Sequence, residues 1–194
     1  MAFTNLIPNF VVMSPKDFNE LEAMLEYAVN IKKPVLIRYP RGTEDMTFDS
    51  CDEIKLGKAE ILKEGNDITI FAIGKMVSRG IEVSNILENN GINCTVINSR
   101  FLKPFDEKVL LENNKKLIVS VEDGTIVGGL GSQLENLVIR NNLNCNVEKF
   151  GYPDEYIKHG NVKEIEKLYG LDAESIAESI LQNLKMNSIK TLKK

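Results

Sequence analysis

The chain has 194 residues, 43% of them hydrophobic and 27% charged, enough to bury a sizeable core in one α/β-sized domain plus roughly a third of another. Twenty-four basic against 28 acidic residues leave a net charge of −4, which argues against a nucleic-acid binder held by a basic field. No apolar run is long enough for a membrane span, no signal peptide is visible, and three scattered cysteines with no CxxC read as reduced thiols of a cytoplasmic protein.

The first unit runs over residues 1–43. Phe10 to Met13 is a short apolar run. Ser14-Pro15-Lys16-Asp17 reads as a helix start, with Ser14 as N-cap and Pro15 at the first helical position. Phe18, Leu21, Leu25 and Ala28 fall at helical spacing and predict an amphipathic helix ending near Asn30. Val35-Leu36-Ile37 reads as a strand buried on both faces, with Arg38-Tyr39-Pro40-Arg41-Gly42 at its end. A strand–helix–strand of this size does not stand alone and reads as the end of a larger domain.

Residues 44–66 are polar and acidic at first and read as a linker, followed by a hairpin-like pair of short strands around Leu56 and Ile61. Residues 67–184 alternate. Strands are expected at Ile68–Ile73, Cys94–Ile97, Leu117–Val121 and Val147–Phe150. Helices are expected through Val77–Leu87, after an Asp106 cap, through Leu134–Leu143, after Asn161 (which with Glu164 resembles a capping box), and after an Asp172 cap. The fold class is therefore α/β: three layers, a mainly parallel sheet with helices on both faces. Residues 185–194, with Lys185, Lys190, Lys193 and Lys194, are expected to be a disordered tail.

Few residues offer chemistry. The exit of a parallel strand is where α/β proteins place ligands, and Pro40 and Gly42 fix that turn, so Arg41 is a candidate for a phosphate or carboxylate. A surface or interface ion pair is the alternative. The run Gly128-Gly129-Leu130-Gly131-Ser132 invites a nucleotide reading but fits the dinucleotide fingerprint poorly, since it does not follow its strand directly and Leu134 stands at the last glycine position. A tight helix entry is the preferred reading. Glu122 and Asp123 read as solvated or as holding a neighbouring loop, Gly74-Lys75 as an empty helix start, Arg100 and Lys103 as loop ties, and the lone His159 as structural. No nucleophile–base pair or metal cage is apparent, so no catalytic, cofactor-binding or metal-binding residue is assigned.

Five stretches occur in order: IPNFVVMSPKDFNELEAML (7–25), PVLIRYPRG (34–42), INSRFLKPFD (97–106), LIVSVEDGTIVGGLGSQL (117–134) and GYPDEYIKHG…LYGLDAESIAESI (151–180). Together they resemble the C-terminal part of the 1-deoxy-D-xylulose-5-phosphate synthase family. Single motifs are shared with transketolases and with β subunits of 2-oxoacid dehydrogenases. The resemblance implies that residues 1–43 end a pyrimidine-binding domain and that 67–184 form a transketolase C-terminal domain. It implies a homodimeric enzyme using thiamine diphosphate and Mg²⁺, which joins pyruvate to D-glyceraldehyde 3-phosphate with loss of CO₂. It maps the acceptor's phosphate onto Arg41, with Arg38 and Tyr39 shaping the site. The family's diphosphate-binding motif, its activating glutamate and its substrate-facing histidines lie upstream and have no counterpart here. The expectation is a fragment, a split subunit or a decayed gene product, inactive and cofactor-free alone, whose partner is the missing N-terminal portion or a separate cofactor-binding chain. A non-catalytic dimerisation or interaction module is the remaining alternative.

Overall fold

The structure is a computed structural model that describes residues 2–43, 45–48 and 51–192. Its strands are β1 (Val11–Met13), β2 (Val35–Ile37), β3 (Glu60–Lys63), β4 (Ile68–Ala72), β5 (Cys94–Asn98), β6 (Phe101–Lys103), β7 (Leu117–Thr125) and β8 (Asn146–Tyr152). Its helices are α1 (Phe18–Asn30), α2 (Met76–Glu88), α3 (Glu107–Glu112), α4 (Leu130–Arg140), α5 (Val162–Leu168) and α6 (Ala173–Leu192), after a short 3-10 turn at Ala2–Leu6.

The larger sheet has the order β3-β5-β4-β7-β8, parallel except for β3 at its edge. Its central strands β4 and β5, and β7 as far as Glu122, are buried throughout and mostly apolar because both faces are covered. On β4, Ile68, Ile70 and Ala72 join a core with α2 and α6, while Phe71 and Ile73 point the other way, into a core with α3 and α4. Residues alternate between the faces as the pleat requires, which yields the three-layer α/β architecture expected.

A smaller sheet, β2-β1-β6, joins the N-terminal segment to the middle of the chain. β1 pairs parallel with β2 and antiparallel with β6, which follows directly on β5 of the larger sheet. The N-terminal segment is thus built onto the unit that follows it. Arg100 and Lys103 do tie loops: Lys103 Nζ donates to the carbonyls of Asn5 and Ile7 at 2.9 and 2.7 Å.

A buried charge cluster reinforces this joint. Lys16 Nζ lies 2.6 Å from Glu60 Oε2, Arg100 Nε 2.7 Å from Glu20 Oε1, and Asn98 Nδ2 donates to both glutamates. Two cations balance two carboxylates. Burial alone would raise the Glu60 carboxyl, but the Lys16 and Asn98 hydrogen bonds and the Arg100 charge outweigh it and hold the group below its ordinary value.

Several expectations are corrected. The N-cap of α1 is Asp17, not Ser14: Asp17 Oδ1 accepts from Glu20 N at 2.8 Å, and Glu20 Oε2 accepts from Lys16 N at 2.7 Å. Ser14 Oγ instead donates to the Arg38 carbonyl at 2.5 Å, so Pro15 lies before the helix. β2 is half-buried, not buried on both faces, because it lies at an edge of its sheet. No strand forms at Leu56 among the described residues. β3 begins at Glu60 and pairs with β5, because its partner is distant in sequence. Glu44, Asp49 and Ser50 of the expected linker, and Lys193 and Lys194 of the tail, lie outside the described residues. Around them, Phe48 N donates to Asp17 Oδ2, Ile54 is buried, and α6 carries helix through Leu192, into the segment expected to fray.

Candidate functional site

The chain order of the larger sheet reverses beside β4. The path leaves β4 through α2 to β5 on one side and returns to β7 on the other. The crevice between the carboxyl ends of β4 and β7 is thus the topological switch point, where open α/β sheets take ligands. Lys75 follows β4 there, and Asp123 stands near the end of β7.

A cleft of about 680 Å³ opens over this point. Its walls are the start of α1, the Arg38–Gly42 exit of β2, and α5. The N-terminal segment and the larger sheet therefore build it jointly. Its floor is a chain of opposite charges. Arg38 Nη2 lies 2.7 Å from Asp123 Oδ2, Lys75 Nζ 3.7 Å from Asp123 and 2.7 Å from Glu166 Oε1, and Arg79 Nη2 2.9 Å from Glu166 Oε2. Tyr152 lines the same wall. Burial, with Asp123 and Glu166 nearby, pushes its hydroxyl up to about 12, so it remains a neutral donor.

The three residues expected at the site do line this cleft. Arg38 is held by its ion pair and by its backbone: its N–H donates to the Met13 carbonyl at 2.9 Å, and its carbonyl accepts from Ser14 Oγ. Tyr39 is exposed at the rim. Arg41 is exposed and makes no hydrogen bond or ion pair among the described residues. A guanidinium presented this way is free to take an oxyanion.

The glycine-rich run does not face the cleft's chemistry. Glu122 Oε2 and Oε1 accept from the backbone N–H groups of Leu130 and Gly131 at 3.0 and 2.9 Å, occupying the start of α4 from within. A Cβ on Gly129 would stand 2.0 Å from Glu122 Oε2, and one on Gly131 would stand 2.6 Å from Ser120 Oγ. The run is a tight helix entry, and the Leu130 and Gly131 amides that a diphosphate would use are already taken by Glu122. Burial raises the Glu122 carboxyl despite those two bonds. The Gly74-Lys75 turn is likewise occupied: a Cβ on Gly74 would meet Ser14 Oγ at 2.3 Å.

His159 is exposed and outside the cleft lining. Burial pushes the Cys94 thiol up to about 12 and raises Cys51 and Cys145, so none of the three is poised as a thiolate. Lys75, Arg79 and Glu166 were missed as site residues by sequence reasoning. Their signal was faint, since only Lys75 stands at a recognisable strand exit.

Residues 57–176 match the family described as transketolase, C-terminal domain. The chain is 45% identical over 188 residues to the 1-deoxy-D-xylulose-5-phosphate synthase of Caldanaerobacter subterraneus subsp. tengcongensis, a match covering 95% of this chain and 30% of that protein. It is 40% identical over 181 residues to the synthase of Heliobacterium modesticaldum, covering 91% of this chain and 28% of that one. The chain thus spans about 30% of the length of the first of these relatives. Among solved structures, a split gene transketolase described as an inactive β4 tetramer superposes with TM-score 0.88 at 29% identity, over 95% of this chain and 61% of that one. A transketolase from Campylobacter jejuni superposes with TM-score 0.69 at 22% identity, over 93% and 27% of the two chains, and shows the fold alone.

Proposed function

The chain belongs to the transketolase C-terminal domain family, and on that footing we propose that it is the C-terminal part of a thiamine diphosphate-dependent 1-deoxy-D-xylulose-5-phosphate synthase. The complete enzyme would condense pyruvate with D-glyceraldehyde 3-phosphate, releasing CO₂, as a transferase of isoprenoid and thiamine precursor biosynthesis. In this reading residues 1–43 close the pyrimidine-binding domain, 44–66 link, and 67–184 are the C-terminal domain. The partners are the remaining portion of the enzyme and a second copy of it, in the cytoplasm. No described helix is long and apolar enough to cross a membrane.

The single observation that carries the proposal for this chain is Arg41, a guanidinium with no ion pair among the described residues, at the mouth of a cleft built by two parts of the chain. It would grip the acceptor's phosphate through a planar fork, and Arg38 and Tyr39 would shape the exit that aims it. The aldehyde would then be oriented by its far end, which lowers the entropic cost of reaction at the near end.

The described residues do not fit the cofactor. No group of three or more His, Cys, Asp or Glu residues among them is placed to hold a metal, and Glu122 already occupies the Leu130 and Gly131 amides of the glycine-rich helix entry. Thiamine diphosphate and Mg²⁺ would be held by the rest of the enzyme, and no step here runs through them.

A second reading, the C-terminal part of a transketolase or of a dehydrogenase β subunit, draws support from the split gene transketolase at TM-score 0.88. The donor accepted by the reconstituted enzyme separates the two. Titration of the 194-residue chain with D-glyceraldehyde 3-phosphate, followed by ¹H–¹⁵N spectra, tests the Arg41 assignment. Saturable shifts around Tyr39–Gly42 that vanish in Arg41→Ala are expected. Identical shifts in both proteins would remove Arg41 from the site.

A further inference from the structure

We infer that Asp123 is a positioning residue that sets the aim of Arg41, by holding Arg38 in the switch-point crevice. The inference rests on the phosphate-binding reading of Arg41 for its consequence, but not for its measurement.

β2 ends at Ile37, and the last sheet-like bond on this path is Arg38 N–H to the Met13 carbonyl at 2.9 Å. Beyond it, Tyr39, Arg41 and Gly42 form no hydrogen bond among the described residues. Whatever fixes Arg38 therefore fixes the base from which Arg41 projects.

Two backbone bonds hold Arg38, and its side chain supplies a third anchor. The guanidinium crosses to the larger sheet and enters the crevice between β4 and β7, where a separate ligand would otherwise sit. Asp123 meets it at 2.7 Å, with side-chain exposures of 15% for Asp123 and 32% for Arg38. A cation from the chain's own N-terminal segment thus stands in the crevice, on the floor of the open cleft.

Asp123 is itself held. Lys75 Nζ stands 3.7 Å from Asp123 and is fixed at 2.7 Å by Glu166, which also pairs with Arg79 at 2.9 Å. Lys75 and Arg79 flank the start of α2, and Glu166 lies on α5. The carboxylate that receives Arg38 is therefore oriented by elements independent of β2. This makes Asp123 part of a fixed frame and the β2 exit the part that is aimed.

The test uses the 194-residue chain and needs no ligand. Backbone ¹⁵N order parameters are measured for Tyr39, Arg41 and Gly42 in the parent, in Asp123→Asn and in Asp123→Glu. In Asp123→Asn they should fall into the flexible range, below about 0.6, while β4 and β7 remain near the rigid value of about 0.85. Asp123→Glu, which restores a carboxylate, should recover most of the order. Values unchanged in Asp123→Asn, or already flexible in the parent, would overturn the inference. If Asp123→Asn does not fold, Arg38→Gln breaks the same pair from the other side and is judged by the same criteria. A parallel titration with inorganic phosphate separates the two proposals. Lost order at 39–42 with phosphate shifts insensitive to Arg41→Ala would uphold the positioning role and sink the phosphate reading.

Discussion

Arg38 Nη2 and Asp123 Oδ2 lie 2.7 Å apart across 85 residues of sequence, and this contact closes the N-terminal segment onto the larger sheet at the site itself. The cleft and the joint between the two parts of the chain are therefore one structure. A substitution at the joint should reach the site, and one remote from it should not.

Arg41→Ala in the complete enzyme should weaken use of the phosphorylated acceptor. A charge-assisted hydrogen bond contributes about 1.5–3 kcal/mol, so kcat/KM for D-glyceraldehyde 3-phosphate should fall by roughly one to two orders of magnitude. Pyruvate binding and use of unphosphorylated glyceraldehyde should change little. An equal loss for both aldehydes would make Arg41 structural.

The 194-residue chain alone should not form a carbon–carbon bond between pyruvate and D-glyceraldehyde 3-phosphate, even with added thiamine diphosphate and Mg²⁺, because no group of three or more His, Cys, Asp or Glu among its described residues is placed to hold the metal. Mixing it with a chain carrying the remaining portion should restore turnover. Carboligation by the isolated chain would refute this.

Glu20→Ala should destabilise the fold by about 3–5 kcal/mol, since it leaves two buried cations, Lys16 and Arg100, with Glu60 as their one remaining carboxylate in the cluster. Glu107→Ala, which breaks the exposed pair with Arg140, should cost no more than about 1 kcal/mol. Urea unfolding of the two variants checks the contrast. Similar losses would mean that the buried cluster does not join the two parts of the chain.

Two glutamates should give opposite pH signatures. The folded Glu122 carboxyl lies above its ordinary value, chiefly through burial, so the folded chain holds that proton more tightly than the unfolded one. Stability from this group is then lost as pH rises from the ordinary value of 4.5 through the folded one. Glu60 is held below its ordinary value, so its contribution is present above 4.5 and is lost as pH falls through the folded value. Urea unfolding between about pH 3 and 7 should show a downward slope on the alkaline side that Glu122→Gln flattens. An unchanged slope in that variant would contradict the assignment.

Gly129→Ala should also destabilise, by about 1–3 kcal/mol, because its Cβ would stand 2.0 Å from Glu122 Oε2 and push the carboxylate off the start of α4. Thermal unfolding measures the loss. A neutral substitution would show that the helix entry can widen.

Much of this molecule was legible along the chain, where the signal is local. The apolar runs of β4, β5 and β7 announce strands covered on both faces, and their alternation with helical spacing determines the three-layer class. Arg41 stood out because proline and glycine flank it at a strand exit. Pairing over long separations was not legible. Nothing near Phe101 says that β6 completes a sheet with β1, nothing near Ser14 says that its hydroxyl serves Arg38, and no spacing links Glu20 to Arg100 or Asp123 to Arg38. The sequence by itself determined which segments bury apolar surface, which cation sits on a rigid turn, and which family the motifs resemble, since these depend on neighbours a few residues away. Only the tertiary structure decided that the N-terminal segment closes on the larger sheet, that Glu122 fills the glycine-rich helix entry, and that Asp123 receives Arg38. Those outcomes depend on charges that meet only after the sheet has brought distant strand ends together, where burial makes an unpaired charge too costly to leave.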